Sequence, residues 1–467
     1  MVMNRRLKTI SLVLVISLCC LLACRKESFI TSPDARVTIT ADSLKYDTVF
    51  PTTGSVTQLF KIINENKQKL RISSVKLMGG TGSMFKMNVD GIATTEASNL
   101  EIEGNDSLYV FVQVNVNPNA ANLPYIIRDS IQVTYNGNKE LVQLEAWGQN
   151  AHFLRNKEVT TNETWTNDLP YVILGYLHVN ENVKLTIEKG CRIFVHATAP
   201  VVVDGTLQVN GAKDTVDRVY FLGDRMDLPY KDFPASWPGV FFTATSKDNV
   251  LNYAIIRNSY QSIAAEAPST NANPKVTLNQ CIIDNSYDAG VIAVNSSVTA
   301  VNSLISNCGK NIALYKGGLY RFTHCTVASF SNSFISHKDP VLTITNYDGA
   351  NTTASLDAIF RNCIFWGDEG IVDDEVIVDK KGSTPFTVNF DYNLWRVETI
   401  PANVVTAQII NNQNPQFDSI DASRRYYNFH LQPTSPAINK GTNASVTIDL
   451  DGKPRPVGLP DLGCFER

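Results

Sequence analysis

The chain has 467 residues, of which 43% are hydrophobic and 18% are charged. This length exceeds what one ordinary hydrophobic core organises, so we expect two or more domains or a repeat array, and the composition excludes a disordered chain. The formal net charge is −4 and no basic block is present, which excludes an electrostatic footprint for nucleic acid as a partner.

Residues 1–23 have the pattern of a secretory signal peptide. A basic segment, Asn4-Arg5-Arg6-Leu7-Lys8, precedes a mostly apolar stretch over residues 10–22. That stretch is shorter than the roughly 20 apolar residues that a membrane-spanning helix needs. We therefore expect cleavage and export rather than a transmembrane anchor.

The end of this leader resembles the lipobox of bacterial lipoproteins. Leu21-Leu22-Ala23-Cys24 carries the resemblance, which implies that Cys24 becomes the lipid-modified first residue of the mature protein. Several acyl chains on one cysteine hold a protein firmly, so the membrane is an expected partner and residues 24–35 an expected tether. Arg25 follows Cys24 in place of the Asp that resembles an inner-membrane retention signal. We therefore expect lipid anchoring in the outer membrane, with the periplasmic or the extracellular face both open.

Residues 36–150 are predicted to form a β-sandwich of immunoglobulin type. Short runs alternate apolar and polar residues, as in Tyr109-Val-Phe-Val-Gln-Val-Asn115, and Asn136-Gly137 marks a hairpin turn. The segments Asp106-Ser-Leu-Tyr-Val-Phe-Val112 and Leu144-Glu-Ala-Trp-Gly-Gln149 resemble the amino-terminal sandwich of many Bacteroidetes surface lipoproteins. We expect Tyr109 and Trp147 to be core aromatics of a spacer domain, the alternative being stacking platforms of a glycan-binding module.

Residues 151–430 are predicted to form a right-handed parallel β-helix. The repeated pattern is an apolar residue, two mostly polar residues, a small residue and two apolar residues, and its small positions are 27, 22, 22, 38 and 30 residues apart. A period of 22 suits three short strands with turns, and longer gaps suit loop insertions. A leucine-rich repeat is excluded because Asn falls at the eighth position rather than the ninth and no helical half-repeat is present. The small positions are Ala254, Cys281, Ser303, Cys325, Cys363 and Asn393.

Like residues of successive coils should stack in columns, because neighbouring strands lie about 4.8 Å apart. We therefore expect Cys281, Cys325 and Cys363 to be buried free thiols in one column. We also expect Asn258, Asn285 and Asn307 to form an amide ladder at a turn with left-handed backbone.

Residues 431–467 are predicted to cap the β-helix. Ser435-Pro-Ala-Ile-Asn-Lys-Gly441 and the segment from Asp449 to Glu466 resemble the carboxyl-terminal signature, of the choice-of-anchor-Q kind, that ends many pectate-lyase-like β-helix proteins. The chain departs from that signature at Asn439 and Cys464. The resemblance covers roughly residues 154–467 and implies a fold, not a chemistry.

Two constellations qualify as candidate sites. One is the acidic insertion of residues 368–375, a possible calcium cluster whose alternative is a solvated loop. The other is the polar column that precedes the small positions on the expected outer wall, whose alternative is an ordinary exposed edge. Its candidate contacts to a polysaccharide, with two tryptophans as possible stacking platforms, are Gln280, Asn302, His324, Asn362, Trp366 and Trp395.

Two functions remain open from these residues. The first is a non-catalytic, envelope-anchored lipoprotein that uses the β-helix as a polysaccharide-binding or adhesive surface. The second is an anchored polysaccharide lyase or glycosidase, which would need a base and a cation or Arg facing the substrate carboxylate. The middle repeats are richer in Asn, Ser and Thr than in Lys or Arg, which favours binding over catalysis, and no cofactor other than calcium is indicated.

Overall fold

The computed structural model describes residues 28–49, 55–116, 125–227, 230–349, 352–368, 370–456 and 458–467. The predicted signal peptide and Cys24 lie outside these residues. The described chain consists of β-strands, turns and two single-turn 3₁₀ segments, Gly80–Gly82 and Tyr230–Asp232, which confirms the all-β prediction. No helix in the described ranges has the length and apolarity that crossing a membrane requires.

The chain divides into two compact units, residues 1–150 and 151–467. The first unit contains two sheets, of strand order β1-β5-β10-β11-β3, with β8 also on β5, and β2-β4-β9-β6-β7. Buried residues of both sheets pack in one core. The strands are β1 Phe29–Ile30, β2 Val37–Ile39, β3 Ser43–Val49, β4 Gln58–Asn64, β5 Lys69–Leu77, β6 Phe85–Val89, β7 Ile92–Ala93, β8 Glu96–Ile102, β9 Ser107–Val114, β10 Tyr125–Tyr135 and β11 Asn138–Gly148.

Asn136 and Gly137 form the predicted hairpin turn, both at positive φ, between β10 and β11. The prediction that Tyr109 and Trp147 are core aromatics is wrong, because they are 36% and 45% exposed. Side chains alternate between faces along a strand, and the neighbours of both residues occupy the buried face. Tyr109 instead lies outside, where the Lys61 ammonium stands 4.6 Å from its ring centre.

The second unit is built on one 26-stranded sheet in which every strand runs parallel to its partners. Its strands are β12 His152–Val159, β13 Glu163–Trp165, β14 Tyr171–Val179, β15 Lys184–Glu188, β16 Arg192–Val195, β17 Val201–Val203, β18 Thr206–Asn210, β19 Val219–Gly223, β20 Trp237–Phe242, β21 Asn249–Asn252, β22 Ala254–Arg257, β23 Ser259–Glu266, β24 Val276–Asn279, β25 Ile282–Asp284, β26 Ala289–Val301, β27 Leu304–Ser306, β28 Lys310–Thr323, β29 Thr326–Ser329, β30 Leu342–Thr345, β31 Leu356–Arg361, β32 Ile364–Gly367, β33 Val376–Asp379, β34 Phe386–Asp391, β35 Leu394–Trp395, β36 Val405–Ala407 and β37 Ile410–Asn411.

These strands fall into three rows, since a strand usually pairs with the one three places later in the chain. The first row contains β17, β20, β23, β30 and β33, the second β18, β21, β24, β31, β34 and β36, and the third β19, β22, β25, β27, β29, β32, β35 and β37. The long strands β26 and β28 each pass from the first row into the second.

The repeat pattern places like residues in register. The leading apolar residues of the pattern form one buried column in the second row, and its aromatic members stack with ring centres 5.3 and 4.9 Å apart. The column is Leu251, Leu278, Ala300, Phe322, Phe360 and Phe390.

The predicted thiol column is confirmed. Cys281, Cys325 and Cys363 are free and fully buried, and the Cys363 sulfur lies 3.5 Å from the backbone nitrogen of Cys325. Burial raises the pKa of Cys281 to about 12, which keeps it a neutral thiol. The predicted left-handed turn is also confirmed, because Asn258, Asn285 and Asn307 have φ of 63°, 59° and 52°.

Residues after β37 fold back along the third row. They form the antiparallel hairpin of β38 (Phe417–Asp421) and β39 (Tyr426–Leu431), followed by an irregular tail over residues 432–467. The hairpin and the tail cover the outward apolar side chains of the third row, including Leu304, Ile364 and Leu394. The predicted cap therefore lies against the side of the stacked strands.

Candidate functional site

The predicted polar column lies at the corner between the second and third rows. Gln280, Asn302, His324 and Asn362 all have left-handed backbone, with φ between 47° and 56°. Asn302, His324 and Asn362 are at most 1% exposed, whereas Gln280 is half-buried. The structure thus corrects the expectation of an open file of polar contacts on an outer wall.

The tail of residues 432–467 is what buries these side chains. The Asn302 amide donates to the Ile448 carbonyl at 2.6 Å, and its oxygen accepts from the Arg455 guanidinium at 3.0 Å. The Asn362 amide donates to the Thr442 carbonyl at 2.7 Å and accepts from the Thr442 N–H at 2.9 Å. These side chains therefore dock the tail and are not available to a ligand.

His324 is part of the same buried contact. Its Nε2 lies 2.9 Å from the Asn362 amide nitrogen, and its Nδ1 has no hydrogen-bond partner in the described chain. Burial lowers the pKa of His324 to about 3, and the neighbouring Arg455 guanidinium acts in the same direction. The imidazole is therefore neutral at physiological pH.

The two tryptophans occupy opposite faces of the third row. Trp395 is fully buried in the interior, where it packs edge-on against Phe390 at 4.9 Å between ring centres, so it cannot serve as a sugar platform. Trp366 faces outward and is 8% exposed at the rim of a cavity beside β38.

The described residues of the acidic insertion do not assemble a calcium cluster. Glu375 is fully buried and its carboxylate accepts from His337 at 3.0 Å and from Arg396 at 2.9 Å. Asp374 instead accepts two backbone N–H groups, those of Glu398 and Thr399, and residue 369 lies outside the described chain. Among the described residues, no group of three or more His, Cys, Asp and Glu is placed to hold a metal ion.

A cleft of about 690 Å³ lies between the third row and β39, and we call it the hairpin cleft. Its apolar floor is made by outward side chains of the third row, and its walls are β39 and the loop that contains Lys231 and Asp232. This volume is in the range of sites that hold small organic ligands, about 300–1,000 Å³. The floor residues are Leu222, Ile282 and Leu304.

The predicted amide ladder forms between Asn258 and Asn285 and fixes one wall of the hairpin cleft, but it does not extend to Asn307, whose amide donates to the Asp284 carboxylate at 3.2 Å. The Asn285 amide donates to the Asn258 side-chain oxygen at 2.8 Å and to the Asp232 carbonyl at 3.0 Å, while the Asn258 amide donates to the Lys231 carbonyl at 2.7 Å. Arg425, in the turn before β39, binds the same loop, with its guanidinium 2.8 Å from the Asp232 carboxylate. These bonds fix the distance between the two walls in the absence of a ligand.

Side chains with free surface stand around the mouth of this cleft. Tyr426 is 57% exposed, and the side chains of Arg424 and Arg257 are 84% and 48% exposed. Among the described residues, four cationic side chains line the cleft against two carboxylates. Three of the four form ion pairs, Arg424 with Asp421, Arg257 with Asp284 and Arg425 with Asp232. The cations are Lys231, Arg257, Arg424 and Arg425, and the carboxylates are Asp232 and Asp284.

Sequence reasoning missed the hairpin cleft, although one signal for it was present. The repeat ends in two consecutive apolar residues, of which only the second can face the interior of a strand row. Ile305 is buried inside, whereas Leu304 faces outward under β39 and the tail. Two consecutive apolar residues in most of the third-row strands indicate that another segment covers the outer face.

Comparisons with known proteins assign no family to this chain. No family model and no curated protein matches it. Parts of the chain match the ASH / PapD-like domain of human CEP192 (12% identity, 27% of this chain, 92% of that domain, TM-score 0.18), a family 123 glycoside hydrolase from Clostridium perfringens (11%, 26%, 30%, 0.19) and the E. coli chaperone DraB (10%, 24%, 54%, 0.17). At these TM-scores the likenesses carry no functional argument, and any conclusion about function rests on the hairpin cleft.

Proposed function

We propose that this protein is a non-catalytic, envelope-anchored lipoprotein that binds polysaccharide in the hairpin cleft. In this proposal the first unit is an immunoglobulin-like β-sandwich and the second a right-handed parallel β-helix. The sandwich is supported by two sheets that share one core, and the β-helix by parallel pairings that return to the same row after 22 residues, as from Ile283 to Ile305. A rigid stack of this kind presents side chains at fixed spacing, which suits an extended polymer.

The observation that carries the proposal is the combination of side chains around the cleft. An exposed tyrosine ring can stack on the apolar face of a sugar, and planar guanidinium groups bind carboxylates or sulfates through paired hydrogen bonds. Tyr426 and Arg424 are two residues apart in the sequence, and both line the cleft together with Arg257. The surplus of cations favours an acidic polysaccharide.

Anchoring is proposed through Cys24, on the lipobox resemblance alone. Cells fed labelled palmitate should incorporate it into the wild-type protein and not into a Cys24→Ser variant. Absence of label from the wild type would remove the anchor from the proposal and leave the cleft unaffected.

Binding is tested with a soluble form that lacks the leader and Cys24, residues 25–467, titrated with polygalacturonate and alginate. The double variant Arg424→Ala/Tyr426→Ala should bind at least about tenfold more weakly, since each lost polar or stacking contact is worth about 1 kcal/mol. The matched control is Arg192→Ala/Tyr260→Ala, which removes an exposed arginine and an exposed tyrosine outside the cleft. Equal affinity of the two double variants would refute the cleft as the site.

The same titrations separate binding from catalysis. A lyase would release unsaturated, ultraviolet-absorbing oligosaccharides during incubation, and a glycosidase would release new reducing ends. Either product, lost in the Arg424→Ala/Tyr426→Ala variant, would replace the binding proposal with an enzymatic one.

A further inference from the structure

A second cavity lies on the other side of the same hairpin. It has a volume of about 650 Å³ and is bordered by β38, the start of the tail, and two aromatic side chains, Phe330 and Trp366. β39 lines the hairpin cleft and β38 lines this second cavity, so the hairpin separates the two. The polar residues that line the second cavity are Asn414, Gln416, Asp418, Ser419 and Gln432.

The walls of this cavity are held in place by contacts within the described chain. Phe330 packs under the hairpin, with ring centres 6.4 Å from Phe417 and 6.2 Å from Phe429. The Gln432 side-chain amide donates to the carbonyl groups of Phe417 at 3.1 Å and Asp418 at 3.2 Å. The cavity is therefore preformed, and a ligand would not have to order it.

Several polar atoms at the cavity keep hydrogen-bonding capacity after these contacts. The Gln416 side-chain oxygen accepts from Thr434, which leaves the Gln416 amide N–H groups free among described residues. One Asp418 carboxylate oxygen accepts from Asn428 at 2.7 Å, and the other accepts no hydrogen bond from a described residue. The Trp366 indole ring lies at the rim of the cavity, where it is 8% exposed. Donors and acceptors thus stand together beside the indole ring.

The charge of this cavity differs from that of the hairpin cleft. Among the described residues, no lysine, arginine or histidine lines it, and Asp418 contributes a single carboxylate. An acidic sugar would meet repulsion there without a compensating cation. Mixed donors and acceptors beside an aromatic face instead match a pyranose ring, which offers hydroxyl groups at its edge and C–H groups on its face.

We infer that the cavity bordered by Trp366, Gln416 and Asp418 is a second sugar subsite, selective for an uncharged pyranose. This inference rests on the proposed function and deepens it. One glycan chain would place acidic sugars in the hairpin cleft and neutral sugars in this cavity. The two sites together would therefore select a heteropolysaccharide that contains both kinds of sugar.

The test uses neutral hexasaccharides, derived from glucan, mannan and galactan, beside hexagalacturonate as the acidic probe. The variants are Gln416→Ala and Trp366→Phe, the second of which keeps an aromatic ring and removes the indole N–H. Each should lower the affinity for a bound neutral hexasaccharide at least about threefold and together about tenfold, with less than twofold change for hexagalacturonate. Gln413→Ala, an exposed neighbour outside the cavity, is the control.

The outcomes separate this inference from the proposed function. If the wild type binds no neutral hexasaccharide, or if Gln416→Ala leaves that binding unchanged, the subsite is refuted while the effect of Arg424→Ala on hexagalacturonate still supports the hairpin cleft. If neither class of sugar binds, the proposed function falls as well. Gln416 is half-buried and is not part of the apolar cluster, so its result stands even if Trp366→Phe disturbs that cluster.

Discussion

The left-handed corner residues show how backbone conformation and burial depend on neighbours. Asparagine tolerates positive φ better than other non-glycine residues, and Asn258, Asn285 and Asn307 were predictable from their type. Gln280 and Tyr253 adopt φ of 51° and 47° without such a preference, since their positions in the stacked turn impose it. Residue type therefore indicates the left-handed column at its asparagines but not at Gln280 or Tyr253.

His324 should make the stability of the second unit depend on pH. Its folded pKa of about 3 lies below the ordinary value of 6.5, so the unfolded chain takes up a proton first as pH falls. The free energy of unfolding should decrease between pH 6.5 and pH 3, by at most about 1.4 kcal/mol per pH unit from this group. Urea unfolding over a pH series measures the slope.

His324→Gln should flatten that slope, because glutamine does not titrate. His152→Gln, which changes a histidine on the surface, is the control and should leave it in place. An identical slope in wild type and His324→Gln would assign the acid sensitivity to other groups, among them the carboxylate of Asp204, whose pKa is lowered by Thr243 and His178.

At the scale of elements, the buried carboxylate of Glu375 connects the loops beside the third row. Glu375, at the end of the acidic insertion, is surrounded by His337 from the loop after β29 and by Arg396 from the segment after β35. Gly367 leaves the room for this group, since a Cβ there would stand 2.1 Å from the Glu375 carboxylate oxygen. The insertion therefore stabilises the packing of these loops against one another.

Glu375→Ala should destabilise the protein by about 3–5 kcal/mol, because it leaves buried partners without their counter-charge. Asp373→Ala, two residues away and exposed, should change stability by less than about 0.5 kcal/mol. Chemical unfolding of both variants measures the difference. Similar small effects for both would show that Glu375 contributes no more than a surface acid.

Much of this fold could be predicted from periodicity, and less of the candidate site. Period-two alternation and the 22-residue spacing identified the strands, the thiol column and the column of Leu251, Leu278 and Phe322, because each is set by local sequence. The position of β38, β39 and the tail is set by contacts between residues far apart in the sequence, such as Arg455 with Asn302, 153 positions apart. Such pairs produce no regular spacing in the sequence. Polar residues that were predicted to bind a ligand therefore proved to form hydrogen bonds with the tail.

At the scale of the whole second unit, the tail is a cover whose apolar side chains fill the outer face of the third row. Leu462 is 1% exposed in the cluster that contains Ile364 and Leu394, whereas Leu459, three residues earlier, is 59% exposed. Leu462→Ala should cost about 2–5 kcal/mol, and Leu459→Ala less than about 0.5 kcal/mol. Equal midpoints of chemical unfolding for the two variants would show that the tail is not docked in solution.

The path of the tail bears on how the stacked strands come apart. In a linear array each repeat touches only its neighbours, so parts of it can open separately. Here the Leu450 carbonyl accepts from Arg218 near the start of the third row, Arg455 reaches Asn302, and Thr442 reaches Asn362. This brace couples distant coils, so the array should lose its structure in one cooperative transition, with no populated state in which one end has frayed.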